Sequence, residues 1–177
     1  MKLLLVIDFQ NDFVTGTLGF EKAKELEERI YQKIIKYQKG NQDVVYTLDT
    51  HDINYLDTQE GRNLPIAHCQ KGSKGWELYG KINKLEGYKI TKGTFGAVGL
   101  FEFLKNSHYD EIELVGLVSN ICVISNAIIA KTILPEAKII VDASCTGSSN
   151  EELHNKAIDV MLGLQIEIIN RGVNDAN

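Results

Sequence analysis

Three residues able to do covalent chemistry end three different apolar runs of this 177-residue chain. Asp8 follows residues 3–7, Lys92 follows residues 88–91, and Cys122 stands just past residues 114–118. A carboxylate, an ammonium and a thiol are the parts that acyl transfer through a covalent intermediate needs: a proton acceptor, a charge stabiliser and an attacking atom. Each has a plainer reading when taken singly. Asp8 could be a turn or capping residue, Lys92 a solvated strand end, and Cys122 a small buried apolar side chain. Their shared placement at strand ends is what points to chemistry.

The elements that must position them alternate regularly. Short β-branched runs at residues 3–7, 44–48, 88–91, 112–117, 138–141 and 165–169 predict six strands. Between them, residues 21–39 carry Leu26, Ile30, Ile34 and Tyr37 at helical spacing amid charges, and residues 99–106, 120–132 and 151–162 read the same way. Strands alternating with helices imply a three-layer α/β/α sandwich around a six-stranded, mainly parallel sheet. Ligands of such sheets bind outside the carboxyl ends of the strands. A helix starting near Cys122 places the thiol at the positive end of a helix dipole, which favours thiolate.

Residues 49–84 break the rhythm: rich in Asp, Gly and Asn, they are too long for a plain connection and so suggest a functional excursion. The whole reads as a single domain over residues 1–171, with 172–177 as a frayed tail. Asp142-Ala143-Ser144-Cys145 reads as a structural turn after the fifth strand, and Ser148 and Ser149 as a capping segment for the helix opening at Glu151.

Charge and cysteine usage exclude several function classes. A formal charge of −5 with both signs interspersed offers no basic stripe for nucleic acid or anionic membrane. The apolar start is stopped by Asp8, too early for a membrane span or secretory segment. Cys69, Cys122 and Cys145 match neither a disulfide framework nor a CxxC metal site, which points to a reducing cytoplasm. No Gly-rich strand-to-helix turn supports nucleotide phosphate binding.

Three segments resemble the isochorismatase-like cysteine hydrolases, which include nicotinamidases. Leu5-Val6-Ile7-Asp8-Phe9-Gln10-Asn11-Asp12-Phe13 is similar to the family's opening strand and its catalytic aspartate. Lys92-Gly93-Thr94-Phe95-Gly96-Ala97 resembles its lysine segment, and Val115-Gly116-Leu117-Val118-Ser119-Asn120-Ile121-Cys122-Val123 its nucleophile turn. The resemblance implies that the first and fourth strands are neighbours, that the Leu117–Val118 peptide is cis, and that the N–H groups of Val118 and Cys122 form an oxyanion hole. Asp8 would take the thiol proton, and Lys92 would keep Asp8 and the thiolate charged, so that replacing it with Met impairs chemistry more than folding.

Asp49 and His51 alternate along the second strand's extension, with His68 further on, and a carboxylate with two imidazoles suits a divalent transition ion such as Zn, Fe or Mn. The spacing resembles the nicotinamidase branch, which implies a fourth ligand, taken as Glu60 with Asp57 in reserve. That branch often has a tryptophan shortly before its His-Cys pair, where this chain has Leu64-Pro65-Ile66-Ala67. Phe13 is the expected aromatic wall, and Trp76 either the opposite wall or a core residue.

The expected activity is hydrolysis of a small amide, nicotinamide or a related aromatic amide, by a homo-oligomer. Two alternatives stand beside it: metal-independent hydrolysis of a carbamoyl or ureido substrate, and a non-enzymatic member of the fold that binds a ligand or a partner.

Overall fold

The computed structural model describes residues 1–172. The expected tail at 172–177 therefore lies, apart from Gly172, outside the described residues. Six strands form one sheet: β1 (Lys2–Ile7), β2 (Asp43–Asp49), β3 (Tyr88–Lys92), β4 (Glu111–Leu117), β5 (Lys138–Gly147) and β6 (Glu167–Ile169). Their order is β3-β2-β1-β4-β5-β6 and every pairing is parallel, so β1 and β4 do lie side by side.

β1 is buried on both faces beyond Lys2, as a central strand between two helical layers must be. Leu3, Leu5 and Ile7 face a core shared with α4 (Val98–Leu104), α5 (Ile124–Ile133) and α6 (Glu151–Gly163). Leu4 and Val6 face the other core, where α2 (Glu21–Lys39) lays down Leu26, Ile30 and Ile34. Lys33 of α2 also crosses to the sheet, pairing with Glu113 and, at 2.7 Å, with Asp142.

The segment after β2 is an excursion, as foreseen, and it is more ordered than its composition suggests. It holds a 3₁₀ turn at Tyr55–Asp57, the short helix α3 (Gln59–Asn63) and a second 3₁₀ turn at Gly80–Lys84. A further short helix, α1 (Asn11–Val14), follows β1. Leu78 and Ile82 fold the excursion back onto the α2 side of the core.

Three expectations need correction. Residues 142–145 are not a turn after β5: the strand runs on to Gly147, and its pairing with β4 shifts register between Leu114 and Gly116 to absorb the extra residues. The helix after β4 does not start as an α-helix, because Ser119–Val123 forms a π turn before α5. Asn150 is the side chain that caps α6, accepting from the Leu153 N–H at 3.0 Å, while Ser148 Oγ accepts from the Asn150 N–H.

Candidate active site

The sheet brings the three strand-end residues together at its carboxyl edge. Asp8 leaves β1 with φ 44°, a left-handed turn that a short polar side chain tolerates better than a branched one. Thr47, in register beside Ile7, donates to Asp8 Oδ1 at 2.6 Å and fixes that carboxylate. Across the same edge Asp49 pairs in register with Lys92, which sets a second carboxylate beside the ammonium. On the other flank β4 must approach β1 closely. Gly116 has φ 109°, and a Cβ there would lie 2.0 Å from the Ile7 carbonyl oxygen. The next peptide, Leu117–Val118, is cis, and the π turn then delivers Cys122.

Lys92 Nζ is the hub. It lies 2.7 Å from Asp8 Oδ2 and 2.9 Å from Asp49 Oδ1, and donates to Cys122 Sγ at 3.4 Å. All four residues are buried. Burial disfavours the lysine's charge, but Asp8, Cys122 and Asp49 outweigh it and hold the ammonium charged well above its ordinary range. Burial likewise pushes the Asp8 carboxyl up, with Lys92 pulling it part of the way back.

The Cys122 thiol is pushed up too, by burial first and then by the Asp8 charge, against a partial pull from Lys92. This direction runs against the thiolate that a helix N-terminus favours. The cysteine sits enclosed in a π turn, and the one ammonium is already shared by two carboxylates. Loss of the thiol proton must therefore be coupled to its capture nearby. Because Lys92 bridges two enclosed carboxylates, its removal also burdens folding, more than the sequence suggested.

Asp49 links this trio to a second cluster. Its Oδ2 lies 2.9 Å from His51 Nε2 and 3.3 Å from His68 Nε2. Among the described residues, Asp49, His51 and His68 bring one potential ligand atom each to within 4.8 Å of one another. Ligands about 2.0–2.1 Å from a tetrahedral zinc stand roughly 3.3 Å apart, so the donor set fits a divalent ion with little movement. His68 Nδ1 lies 2.7 Å from the Ile66 carbonyl, a contact that orients the ring with Nε2 toward Asp49. Burial raises the Asp49 carboxyl, yet His51, His68 and Lys92 more than offset this and hold it well below the usual range. Glu60 stands 3.8 Å from His51 Nε2, outside the three-residue group, and Asp57 is exposed.

Both aromatic candidates lie beside this cluster. Phe13 meets His68 edge-on at 5.7 Å between ring centroids. Trp76 is half-buried and donates its indole N–H at 2.8 Å to Oγ1 of Thr50, which lies between Asp49 and His51.

Sequence reasoning missed several residues that hold the site. Gln10, fully enclosed, clamps the Asp49 main chain at two points: its Oε1 accepts from Asp49 N–H at 2.8 Å and its Nε2 donates to Asp49 C=O at 2.9 Å. Asp12 Oδ2 accepts from the Cys69 N–H at 2.7 Å and so braces the residue after His68. Tyr55 packs 4.5 Å from His51 and 4.9 Å from His68, and burial pushes its phenol up to about 12. Gln10 and Asp12 lie inside the quoted aspartate motif; Tyr55 and Thr47 carry no sequence signal.

A parallel sheet covered on both faces, with an acid, an amine and a thiol meeting at the ends of its inner strands, defines the class as an α/β fold carrying the parts for nucleophilic hydrolysis. A sequence model of the Isochorismatase domain matches residues 2–171, and the chain belongs to that family. A relative in Bacillus subtilis (strain 168), described as the uncharacterized isochorismatase family protein PncA, is 29% identical over 89% of this chain and 92% of its own length. The crystal structure of nicotinamidase/pyrazinamidase PncA from Bacillus subtilis superposes with a TM-score of 0.85 at 26% identity, covering 94% of this chain and 98% of that one. The pyrazinamidase of Pyrococcus horikoshii in complex with zinc shares the fold, with a TM-score of 0.82 at 20% identity over 95% of this chain and 98% of that chain.

Proposed function

We propose that this isochorismatase-family hydrolase is a cysteine-dependent amidase, converting nicotinamide or a related small aromatic amide to its acid and ammonia. The observation that carries the reading is the single Lys92 ammonium meeting Asp8, Asp49 and the Cys122 sulfur, with the remaining Asp49 oxygen turned to two histidines.

Asp8 takes the thiol proton as Cys122 Sγ bonds to the amide carbon. Its raised carboxyl makes it a competent base, and one that yields the proton again to departing ammonia. The C–N bond breaks to leave a thioester on Cys122, and a water that loses a proton to Asp8 attacks that thioester, releasing the acid and restoring the thiol. Lys92 keeps the enclosed carboxylates compatible with one another throughout. The N–H groups of Val118 and Cys122 are the proposed donors to the oxyanion.

Asp49, His51 and His68, with Glu60 on the rim as the fourth ligand, are the residues that would hold a divalent ion. When bound, that ion supplies a Lewis-acid anchor for a ring nitrogen or carbonyl oxygen of the substrate. Phe13 is placed to wall the ring, with Trp76 positioning the strand behind the ligands. No helix among the described residues is long and apolar enough to cross a membrane. A cytoplasmic homo-oligomer remains part of the proposal.

The test is ammonia release from nicotinamide and a panel of aromatic, carbamoyl and ureido amides, with and without a chelator. Release from nicotinamide that the chelator abolishes supports the reading. Chelator-insensitive release confined to a carbamoyl or ureido compound would replace it with the metal-free alternative, and silence across the panel with an unreactive Cys122 would favour a binding protein.

A further inference from the structure

The two segments that bring Lys92 and Cys122 together are tied by one enclosed carboxamide. Asn126 lies four residues beyond Cys122 on α5 and is fully buried. Its Nδ2 donates to the Cys122 carbonyl at 2.8 Å and to the Phe95 carbonyl at 3.2 Å, while its Oδ1 accepts from the Ala97 N–H at 2.9 Å. Both amide protons and one oxygen lone pair are thus spent on main chain. Phe95 and Ala97 belong to the loop that leaves Lys92 and opens α4, and Ala97 makes no side-chain cap of its own.

A buried asparagine in the first turn of α5 is an expensive choice for packing alone. Its helix propensity is below that of leucine, and its amide must be desolvated. The same loop is pressed onto α5 at Gly96, where a Cβ would lie 2.6 Å from Ile129 Cδ1. Contact alone would leave the loop free to slide along the helix, whereas the carboxamide fixes it at three points. It also holds the Cys122 peptide plane, and with it the direction of the Cα–Cβ bond that carries the sulfur.

We infer that Asn126 is a positioning residue that sets the distance between the Lys92 ammonium and the Cys122 sulfur. The inference rests on the proposed roles of those two residues and deepens them: Asn126 touches no reacting atom and acts through both. A displacement of about 1 Å at such a site costs roughly 100-fold in rate, and Lys92 is the cation placed to stabilise the thiolate as Asp8 takes its proton.

Two variants separate positioning from packing. Asn126→Leu fills the space without hydrogen bonds. Asn126→Ser leaves a hydroxyl that can bond back to the carbonyl four residues earlier, that of Cys122, but is too short to hold the Lys92 loop. For each, thermal unfolding, kcat and KM for nicotinamide, and the rate of Cys122 alkylation by iodoacetamide from pH 6 to 10, read by peptide mass, are compared with the parent.

The expected result is a folded Asn126→Ser protein with kcat lowered about 10- to 100-fold, KM within about threefold, and the alkylation profile displaced to higher pH. A folded variant with the parent's alkylation profile and kcat, even at a lower melting temperature, would overturn the inference. If the parent releases no ammonia from nicotinamide or any other aromatic amide of the panel, the proposed activity fails, and the alkylation profiles still decide the role of Asn126.

Discussion

Replacing Lys92 with Met is the perturbation with the most to say, because it removes one charge that three groups share. Methionine keeps an unbranched chain of similar length, so the change is chiefly the loss of the ammonium. In the structure Nζ faces Asp8 Oδ2 at 2.7 Å and Asp49 Oδ1 at 2.9 Å, both carboxylates being nearly or fully enclosed. At an effective dielectric of about 20, each attraction is worth roughly 6 kcal/mol before desolvation is counted. The net cost of breaking such a buried pair is about 3–5 kcal/mol. A domain of this size loses roughly 2–4 °C of melting temperature per kcal/mol, giving a fall of about 6–20 °C.

The variant can relieve part of this by protonating Asp8, whose carboxyl burial already pushes up. That relief removes the base, so kcat should fall by about 10²- to 10⁴-fold, with the acid limb of the activity profile displaced to higher pH. Adding Asp8→Asn to the Lys92→Met background should recover melting temperature and restore no activity. Calorimetry and ammonia release measure both halves. A Lys92→Met protein that melts within about 2 °C of the parent and keeps kcat within about threefold would refute the reasoning.

Other outcomes follow from the same geometry. His68→Ala should weaken zinc binding by at least about tenfold in a competition titration with a chromogenic chelator while leaving Cys122 alkylation in the metal-free protein unchanged; unaltered zinc affinity would remove His68 from the ligand set. Lys33→Met should destabilise the fold by about 3 kcal/mol at pH 7, since it strands Glu113 and Asp142. Burial raises the Asp142 carboxyl, but Lys33 and Ser144 lower it further, so its folded-state value lies below the unfolded one. Its stabilising contribution is therefore present above about pH 4 and is lost as pH falls through the folded value. The gap between parent and Lys33→Met stability should shrink on acidification below about pH 4, and urea melts showing a constant gap would contradict this. Gly116→Ala should cost several kcal/mol, because the added methyl meets the Ile7 carbonyl at a positive φ, and a melting temperature unchanged by it would mean that β1 and β4 need not approach so closely.

The sequence made the layers legible because each strand and helix carries its own period. The strands other than β5, whose far end lies beyond the predicted run, and α2, α4 and α6 lie within a few residues of where hydrophobic spacing puts them. What it could not carry was anything set by approach between distant segments. The π turn at Cys122 and the register shift that extends β5 have no periodic signature, because both arise where neighbouring strands fall out of step. The trio was readable as three strand ends, and the resemblance supplied the adjacency of β1 and β4. Its electrostatics were not readable: that Asp49 pairs in register with Lys92, and so shares one ammonium with Asp8, follows from the sheet. Enclosure pushes the Cys122 thiol up, against the thiolate that a helix N-terminus favours. Gln10 and Asn126 were invisible for a related reason, since their side chains serve main chain remote in sequence.

The central claim is that Cys122 carries the substrate's acyl group. Acid-quenching the protein during turnover of nicotinamide and mapping its peptides by mass tests it directly. The account predicts one nicotinoyl group on the Cys122 peptide, absent from the Asp8→Asn protein, together with loss of ammonia release in Cys122→Ala. Sustained ammonia release by Cys122→Ala, with no adduct on the parent, would contradict it.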